Sequence, residues 1–214
     1  MALSGGPVDR TRLGESAYAR LRAAIIGGEL EPGSVLGVYE TAKAFGTSRA
    51  PVQVALDLLA REGLVEVYRN SYSRVASVDG ESTRKAVDVL TDVWTGAVRR
   101  FLPRAGEEEV AALSDLAAQM AATIASRDVA SFGDALEELA VSCSKGDASP
   151  ERTSIVSQTC AHVHRYWLLS DRAFDWDAAA TLTAVIGASI RSRDAAGACD
   201  AITGFLDDVA ADAL

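Results

Sequence analysis

The amino-acid sequence predicts a mainly α-helical protein in two parts: an N-terminal winged helix-turn-helix with a small β-hairpin, and a C-terminal all-α bundle of about six helices. Residues 1–78 combine helical periodicity with turn-rich and β-type segments, whereas residues 79–214 show helical periodicity and no convincing strand. Charge divides at the same place. The first part has nine Lys or Arg against eight Asp or Glu (net +1), and the second has twelve against twenty-two (net −10). Because such asymmetry often marks domains with different partners, we predict two domains, residues 1–78 and residues 79–214.

The first part begins with a predicted helix over residues 14–27, in which apolar residues such as Leu21 and Ile25 recur at helical spacing. The run GGELEPGSVLG follows and is rich in turn formers. A short helix is predicted from about Tyr39 to Phe45. It ends at Gly46, which is a natural helix C-cap.

A second, regular helix is predicted within the stretch TSRAPVQVALDLLAREGLV. Ser48 is positioned to cap it, and Pro51 lies in its first turn, where the missing N–H costs little. Three apolar residues line one face at spacings of four and three: Val52, Leu56 and Leu59. Arg49 and Gln53 lie on another face, which we expect to be exposed, and Gly63 ends the helix.

Two β-type runs, LVEVYR and SRVASV, are joined by Asn70-Ser71-Tyr72 and predict a hairpin. The order helix, short helix, turn, helix, hairpin is that of a winged helix-turn-helix. Such a helix fits the major groove of DNA, its first-turn N–H groups favour phosphate, and the hairpin can reach the backbone or the minor groove. The residues expected to contact double-stranded DNA are Thr47, Ser48, Arg49, Ala50, Gln53, Arg69, Asn70, Tyr72 and Arg74.

The second part is predicted to form six helices. Their approximate ranges are 81–103, 106–126, 128–144, 151–170, 174–192 and 194–213. An all-helical bundle of this size can enclose a ligand between its helices. No apolar run serves as a signal peptide or reaches the length of a membrane span, so we expect no membrane partner and a cytoplasmic location. The three cysteines form no CxxC pair, which fits buried thiols in a reducing compartment.

Residues Tyr18 to Val78 resemble the GntR family of bacterial transcription regulators, in the branch with an all-helical FCD effector domain. YARLRAAIIGGELEPGSVL is similar to the family's opening helix and its G-x-L-x-P-G-x-x-L turn. TSRAPVQVALDLLAREGLV is similar to its S-R-x-P-V-R-x-A-L…L…E-G-L-V recognition segment. Over residues 80–214 the likeness is one of helix order and length. The resemblance implies a DNA-binding domain at 1–78 and an effector-binding and dimerisation domain at 79–214.

The recognition segment departs from the family pattern at two positions. Gln53 stands where the family usually has arginine, and Asp57 follows one turn later. Glutamine lacks the charge that contacts phosphate or guanine, but it can pair with adenine through two hydrogen bonds. We therefore expect an altered site preference. The hairpin residues from Arg69 to Arg74 replace a glycine-rich tip, and the alternative is that they form only a solvated turn.

Many relatives bind a divalent metal through an aspartate and three histidines. By sequence offset, the three histidines would fall near Ala140, Thr183 and Phe205 of this chain. This chain has only two histidines, His162 and His164. At i and i+2 on a helix they point about 200° apart and cannot chelate one ion together. We expect no metal site and no cofactor.

Aromatic and ionisable groups are concentrated in one helical segment of the second part and at one position of its first helix. These candidate effector-binding residues are Trp94, His162, His164, Arg165, Tyr166 and Trp167. An apolar pocket with a few polar groups would bind an as yet unknown small molecule. The alternative is a packed aromatic core with histidines at its rim.

The predicted function is that of a sequence-specific transcription regulator, a ligand-responsive repressor that binds a palindromic DNA operator as a homodimer. One alternative is a winged-helix protein-interaction module that no longer binds DNA, which the low basicity and Asp57 favour. A helical enzyme is the other. The sequence contains no catalytic Ser/His/Asp arrangement, no GxxxxGK[ST] loop and no HExxH motif, so we do not expect an enzyme.

Overall fold

The computed structural model describes residues 10–68, 72–170 and 172–213. The chain divides into two compact units, Met1–Ser77 and Val78–Leu214, which we call unit 1 and unit 2. Each unit has its own hydrophobic core.

Unit 1 is a three-helix domain with a small antiparallel sheet. Its elements are α1 (Arg10–Ile26), β1 (Val35–Leu36), α2 (Val38–Phe45), α3 (Arg49–Arg61), β2 (Val65–Tyr68) and β3 (Tyr72–Val75). The strand order is β1-β3-β2. The predicted apolar faces of α1 and α3 supply the core, where Leu21, Ile25, Val52, Leu56 and Leu59 are all buried.

Strand β1 is an element that the sequence pattern did not predict. It has only two residues, Val35 and Leu36, which pair with Arg74 and Ser73 of β3. Val75 extends this pairing into the preceding turn, because its N–H donates to the Ser34 carbonyl. A strand this short has no readable periodicity, since its partner defines it. The result is a three-stranded wing instead of a two-stranded hairpin.

The turns of unit 1 follow the glycines that the sequence marked. Gly46 ends α2 with a left-handed φ of 64°, as predicted, and the Gly46 N–H donates to carbonyls of the preceding turn. Gly63 follows α3 with a φ of 73°. Tyr72 was predicted to lie in the hairpin loop but is the first residue of β3, paired with Tyr68. Ser48 occupies the N-cap position of α3 in an extended conformation, but its side chain makes no capping hydrogen bond.

Unit 2 is a bundle of six α-helices, confirming the predicted number and order within the described part of the chain. The helices are α4 (Gly80–Phe101), α5 (Glu107–Ser126), α6 (Val129–Gly146), α7 (Pro150–Leu169), α8 (Trp176–Ser192) and α9 (Ala195–Asp212), with a 3₁₀ turn at Leu102–Arg104. Helix α4 packs against α6, α7 and α9, while α5 packs against α6 and α8. None of the helices within residues 10–213 that the structure describes is long and apolar enough to cross a membrane.

The starts of these helices are set by side-chain caps. A carboxylate or hydroxyl accepts a hydrogen bond from a first-turn N–H in five of the six helices: Asp79, Asp128, Ser149, Asp175 and Asp194. Such a cap satisfies a donor that has no partner within the helix. The predicted helix starts therefore agree with the structure to within two residues.

Two glycines of α6 allow neighbouring helices to approach closely. A Cβ on Gly133 would collide with the imidazole of His164 on α7. A Cβ on Gly146 would collide with the ring of Phe101 on α4. The side chains of α4 and α7 therefore pack directly onto the backbone of α6.

Candidate functional site

Helix α3 presents a solvent-facing surface that we call the reading face. Its members are the exposed residues of the helix: Arg49, Ala50, Gln53, Val54, Asp57, Leu58 and Arg61. The opposite face is buried in the core of unit 1. The sequence prediction that Arg49 and Gln53 share an exposed face, apart from the apolar stripe, agrees with this placement.

The N-terminal end of α3 combines uncapped backbone with a stacked arginine. Because the Ser48 side chain makes no capping hydrogen bond, the first-turn N–H groups of Arg49 and Ala50 have no side-chain cap. The Arg49 guanidinium lies 5.0 Å from the centroid of the Tyr39 ring on α2. Tyr39 is 56% exposed. Stacking on an aromatic ring restricts the guanidinium while leaving its N–H groups available to donate.

Gln53 and Asp57 form a pair along the reading face. The Gln53 Nε2 donates to Asp57 Oδ1 at 2.9 Å, across one helical turn. Both side chains are exposed. The sequence placed Gln53 among the DNA-contacting residues and marked Asp57 only as a departure from the family pattern, without anticipating that the two are bonded.

One face of the three-stranded wing has a small stack of tyrosines from β2 and β3. The rings of Tyr68 and Tyr72 are 4.9 Å apart and 24° from parallel. The Arg74 guanidinium lies 5.6 Å and 5.4 Å from the two ring centroids. The Tyr68 hydroxyl donates to Glu66 Oε2 at 2.6 Å, and this bond, followed by the charge of Glu66, raises the pKa of Tyr68. The predicted contacts Arg69 and Asn70 lie outside the described residues.

Helix α1 holds the C-terminal end of α3 in place. The Tyr18 hydroxyl donates to Glu62 Oε1 at 2.7 Å, and the Nε of Arg22 lies 3.8 Å from Glu62 Oε2. On another face of α1, the Arg20 guanidinium lies 3.9 Å from the Phe45 ring centroid of α2. These contacts fix α2 and α3 against α1, so the reading face is carried on a rigid support. Thr47 is partly buried just before α3.

In unit 2, four of the six predicted effector-binding residues are buried: Trp94, His164, Arg165 and Tyr166. Trp94 is 0% exposed, Arg165 is 1% exposed and His164 is 3% exposed. Burial lowers the pKa of Arg165. The Nδ1 of His164 lies 3.7 Å from Oδ1 of Asp134. The side chain of Trp94 is a neighbour of Cys143, and burial raises the pKa of that thiol to about 12.

The remaining two predicted effector residues, His162 and Trp167, lie nearer the surface of α7. His162 and Trp167 are partly buried. Tyr166 is buried, and its hydroxyl donates to the carbonyl of Asp212 on α9 at 2.9 Å. Trp94 does not line the same cavity as Tyr166 and Trp167. Of the predicted set, only Tyr166 and Trp167 therefore line this crevice.

This crevice lies at the junction of α7, α8 and α9 and has a volume of about 20 Å³. Its wall is aromatic: the Trp167 ring lies 5.3 Å from that of Phe174 and 5.9 Å from that of Phe205. The rim is polar, and its charged members are Arg172, Asp175, Asp208 and Asp212. The Oγ of Ser170 also lines the crevice and has no hydrogen-bond partner among the described residues.

Behind the crevice, Phe132 of α6 contacts four other rings: Trp167, Phe174, Trp176 and Phe205. The sequence analysis identified only Trp167 of this cluster. The other rings come from α6, from α9 and from the segment around the start of α8, and only their convergence in three dimensions identifies them.

The positions at which relatives would have metal-binding histidines are buried here. They are Ala140, Thr183 and Phe205. Within the part of the chain that the structure describes, no group of three or more His, Cys, Asp or Glu side chains is arranged to hold a metal ion. An alkyl group, a hydroxyl and an aromatic ring thus occupy these positions.

Two family models match this chain. Residues 13–75 match the gntR family of bacterial regulatory proteins, and residues 89–208 match the FCD domain. An HTH-type transcriptional regulator from an unstable DNA locus of Streptomyces ambofaciens is 40% identical over 125 residues, 51% of each chain. The HTH-type transcriptional regulator YdhC of Bacillus subtilis is 30% identical over 97 residues, 45% of this chain and 43% of YdhC. Each match therefore spans about half of the relative's length or less.

Solved structures share the fold at lower identity. The E. coli protein McbR/YncC has a TM-score of 0.79 at 16% identity, over 94% of this chain and 96% of that one. A putative GntR transcriptional regulator from Rhodococcus sp. RHA1 has a TM-score of 0.73 at 23% identity, over 95% and 97%. These similarities extend across both units.

Proposed function

This chain belongs to the gntR family of bacterial regulatory proteins, in the branch with an FCD domain, and we propose that it binds a palindromic DNA operator as a homodimer. Both families consist of transcription regulators and not of enzymes. We propose that transcription regulation is the activity of the chain. The proposal concerns how the chain performs it: which surface contacts DNA, how two copies cooperate and what the second unit senses.

The reading face of α3 is the single observation that carries the DNA-binding proposal. One face of this helix packs in the core, which leaves the other face free to contact a ligand. Its N-terminal end has an exposed arginine and uncapped N–H groups. A helix with these features suits insertion into a major groove. In this arrangement Arg49 donates to a base edge or a phosphate oxygen, and the first-turn N–H groups of α3 donate to phosphate. The short side chains of Thr47, Ser48 and Ala50 permit close approach of the backbone.

The wing supplies the second set of proposed contacts. Arg74, held beside the rings of Tyr68 and Tyr72, is a cation with a restricted position on an exposed sheet face. Tyr72 and Arg74 would contact the DNA backbone next to the groove that α3 enters, together with Arg69 and Asn70. This accounts for affinity in a domain whose net charge is only +1.

Dimerisation follows from the small number of base contacts that one copy offers. A single reading face contacts a few base pairs, whereas specific binding in a genome must outcompete very many other sites. Two copies related by a two-fold axis double the contacts and match a palindromic operator. Because unit 2 has a net charge of −10, it would be repelled by DNA, which favours roles in joining subunits and in sensing a ligand.

The crevice of unit 2 is the proposed effector site, with Trp167 in its wall and Tyr166 at its edge. It combines an aromatic wall with polar groups at the rim and the unbonded hydroxyl of Ser170, a combination typical of small-molecule sites. An effector that binds one arrangement of the helices more tightly than another shifts the population toward it and changes operator affinity. We propose repression that is relieved in this way.

The test is selection of bound duplexes from a random pool by the full-length protein, followed by titration of the selected duplex at several salt concentrations. We expect an inverted repeat, affinity that falls as salt rises, and a complex with the mass of two chains on one duplex. A pool without enrichment, and no binding even at low salt, would favour the protein-interaction alternative. A monomer that binds one half-site as tightly as the full palindrome would contradict the dimer.

A further inference from the structure

We propose that Asp57 is a specificity-determining residue, which makes the reading face select adenine and reject guanine at one position of each half-site. It does so by holding the amide of Gln53 in one orientation. This inference rests on the proposed function, because it requires that α3 enter the major groove.

The orientation of the Gln53 amide is determined by the chemistry of its partner. A side-chain amide has an oxygen that accepts and an NH₂ group that donates, and the two ends are nearly equal in shape. The ionised carboxylate of Asp57 only accepts. Gln53 must therefore turn its nitrogen toward Asp57, and Nε2 lies 2.9 Å from Oδ1. With an alanine at position 57 the amide could present either end to a base.

The bond leaves Gln53 with an asymmetric set of groups for a ligand. One N–H is donated to Asp57, so the remaining groups are one N–H and the oxygen Oε1. In the major groove adenine offers the N7 acceptor beside the N6–H donor, whereas guanine offers two acceptors, N7 and O6. The remaining donor and acceptor of Gln53 match adenine. Guanine needs two donors, and Asp57 already occupies one of the two that Gln53 possesses.

The position of the pair fits this role. Gln53 lies one turn from Arg49, at the end of α3 expected to reach base edges, and Asp57 lies one turn farther from that end. Asp57 is thus close enough to orient Gln53 while being farther from the groove floor. The negative charge of Asp57 near the phosphates lowers the affinity for every DNA sequence by the same factor. Asp57 therefore weakens DNA binding overall while it increases the preference for adenine over guanine.

These two effects of Asp57 can be separated by measurement. Removing the carboxylate strengthens binding to all duplexes, because a repulsion disappears. The ratio of affinities for an adenine site and a guanine site is unaffected by a charge change that is common to both. A change in that ratio therefore reports the orientation of Gln53 alone.

The experiment uses the full-length protein and the duplex that it selects from a random pool. Substitution of 7-deazaadenine at each adenine removes N7 and identifies the position that Gln53 contacts, because this substitution loses its effect in Gln53→Ala. At that position an A·T pair is then replaced by G·C. For the unsubstituted protein we expect a loss of affinity of about 5- to 150-fold, the range of a two-bond contact to a base edge.

Three variants complete the design. Asp57→Ala should bind both duplexes more tightly and lower the ratio of their affinities by about fivefold or more, because the freed NH₂ group of Gln53 can then also donate to guanine. Asp57→Glu retains an acceptor-only carboxylate one turn away and should restore the preference for adenine. Glu29→Gln, which removes the same charge from an exposed turn of unit 1, should leave the ratio unchanged.

The outcome distinguishes the inference from the proposed function. If Asp57→Ala binds the operator with an unchanged adenine-to-guanine ratio, or if no 7-deazaadenine position depends on Gln53, the inference is wrong although DNA binding stands. If no duplex is bound at all, the proposed function itself fails. Far-UV circular dichroism checks that each variant is folded, which the exposure of both side chains favours.

Discussion

Units 1 and 2 use the same kinds of side chain in opposite ways. In unit 1, Arg49 and Gln53, which the sequence singled out, are exposed, and each contacts a side chain that lies near it: Tyr39 for Arg49 and Asp57 for Gln53. In unit 2 the residues singled out for the same chemical reasons include Trp94, His164 and Arg165, which are buried among the helices. Substitutions in the first group should therefore change binding and leave folding intact, whereas those in the second should change folding.

The largest effect should come from Trp94→Ala. The side chain is 0% exposed, so truncation leaves a cavity in the core of unit 2, and we expect a loss of about 3–5 kcal/mol in the free energy of unfolding. Urea titration followed by far-UV circular dichroism measures it. A loss below about 1 kcal/mol, which is typical of surface sites, would break the contrast between the two units. Tyr39→Ala on the surface of unit 1 is the control and should cost far less.

The next effect should come from Asp147→Asn. Burial opposes the charge of Asp147, but hydrogen bonds from Arg100 and Arg152 outweigh it, so the net result is a lowered pKa. The folded protein thus favours the ionised form of Asp147. The contribution of this carboxylate to the free energy of unfolding is fully present above the pKa that Asp147 has in the unfolded chain. It is lost as the pH falls through the lower pKa that Asp147 has in the folded protein. We expect a cost of about 1.5–3 kcal/mol at pH 7, in the range of hydrogen bonds to charged groups.

Unfolding measured between pH 7 and pH 3 tests the sign of the Asp147 effect. The difference between the original protein and Asp147→Asn should shrink toward the acidic end, below the usual aspartate range. A difference that grows on acidification would show that Asp147 is not held ionised by the two arginines.

Two glycine-to-alanine substitutions in unit 2 should change the stability of the fold in opposite directions. Gly133→Ala adds a Cβ that collides with the His164 imidazole and should cost about 1–3 kcal/mol. Gly204→Ala on α9 meets nothing within 4 Å and should stabilise by up to about 1 kcal/mol through helix propensity. Thermal unfolding of both variants checks the pair. Shifts of the same sign would show that α6 and α7 do not approach as closely as described.

The smallest effect on stability, with a definite effect on binding, should come from Arg49→Ala. We expect operator affinity to fall by about 1–3 kcal/mol while the melting temperature stays unchanged. Arg61→Ala, which removes the same charge from the other end of α3, is the matched control and should weaken binding less. Equal losses for both variants would indicate a general charge effect and not a contact of Arg49 with the operator.

The sequence predicted the elements well and the side-chain partnerships poorly. The six helices of unit 2 were readable because caps such as Asp79 and Asp194 and long apolar stripes are local signals. Strand β1 was not, because two residues become a strand only by pairing with β3. The same holds for Tyr39, which reaches Arg49 from another helix. Trp94 was offered as a ligand contact because a sequence shows an aromatic side chain but not how deeply its helix buries it.

The candidate site was predictable where one helix carries it. Arg49 and Gln53 follow from the period of α3, whereas the bond between Gln53 and Asp57 depends on the rotamers of both side chains. The aromatic cluster around Phe132 joins rings of α6, α7 and α9 with Phe174 and Trp176 at the start of α8, and of these only Trp167 was singled out beforehand. Sequence spacing predicts which residues of one helix lie on the same face. Contacts between residues of different elements can be identified only from the three-dimensional fold.

The small volume of the crevice has a consequence for the rate at which any effector enters it. A space of about 20 Å³ admits roughly one water molecule, so a larger ligand can enter only after Trp167, Phe174 and Phe205 have moved apart. If opening precedes entry, the association rate rises with ligand concentration and then levels off at the rate of opening. Only the open fraction of molecules is competent, so the apparent affinity is reduced by that fraction. The response of this regulator to its signal would then be timed by the motion of three aromatic rings and not by diffusion.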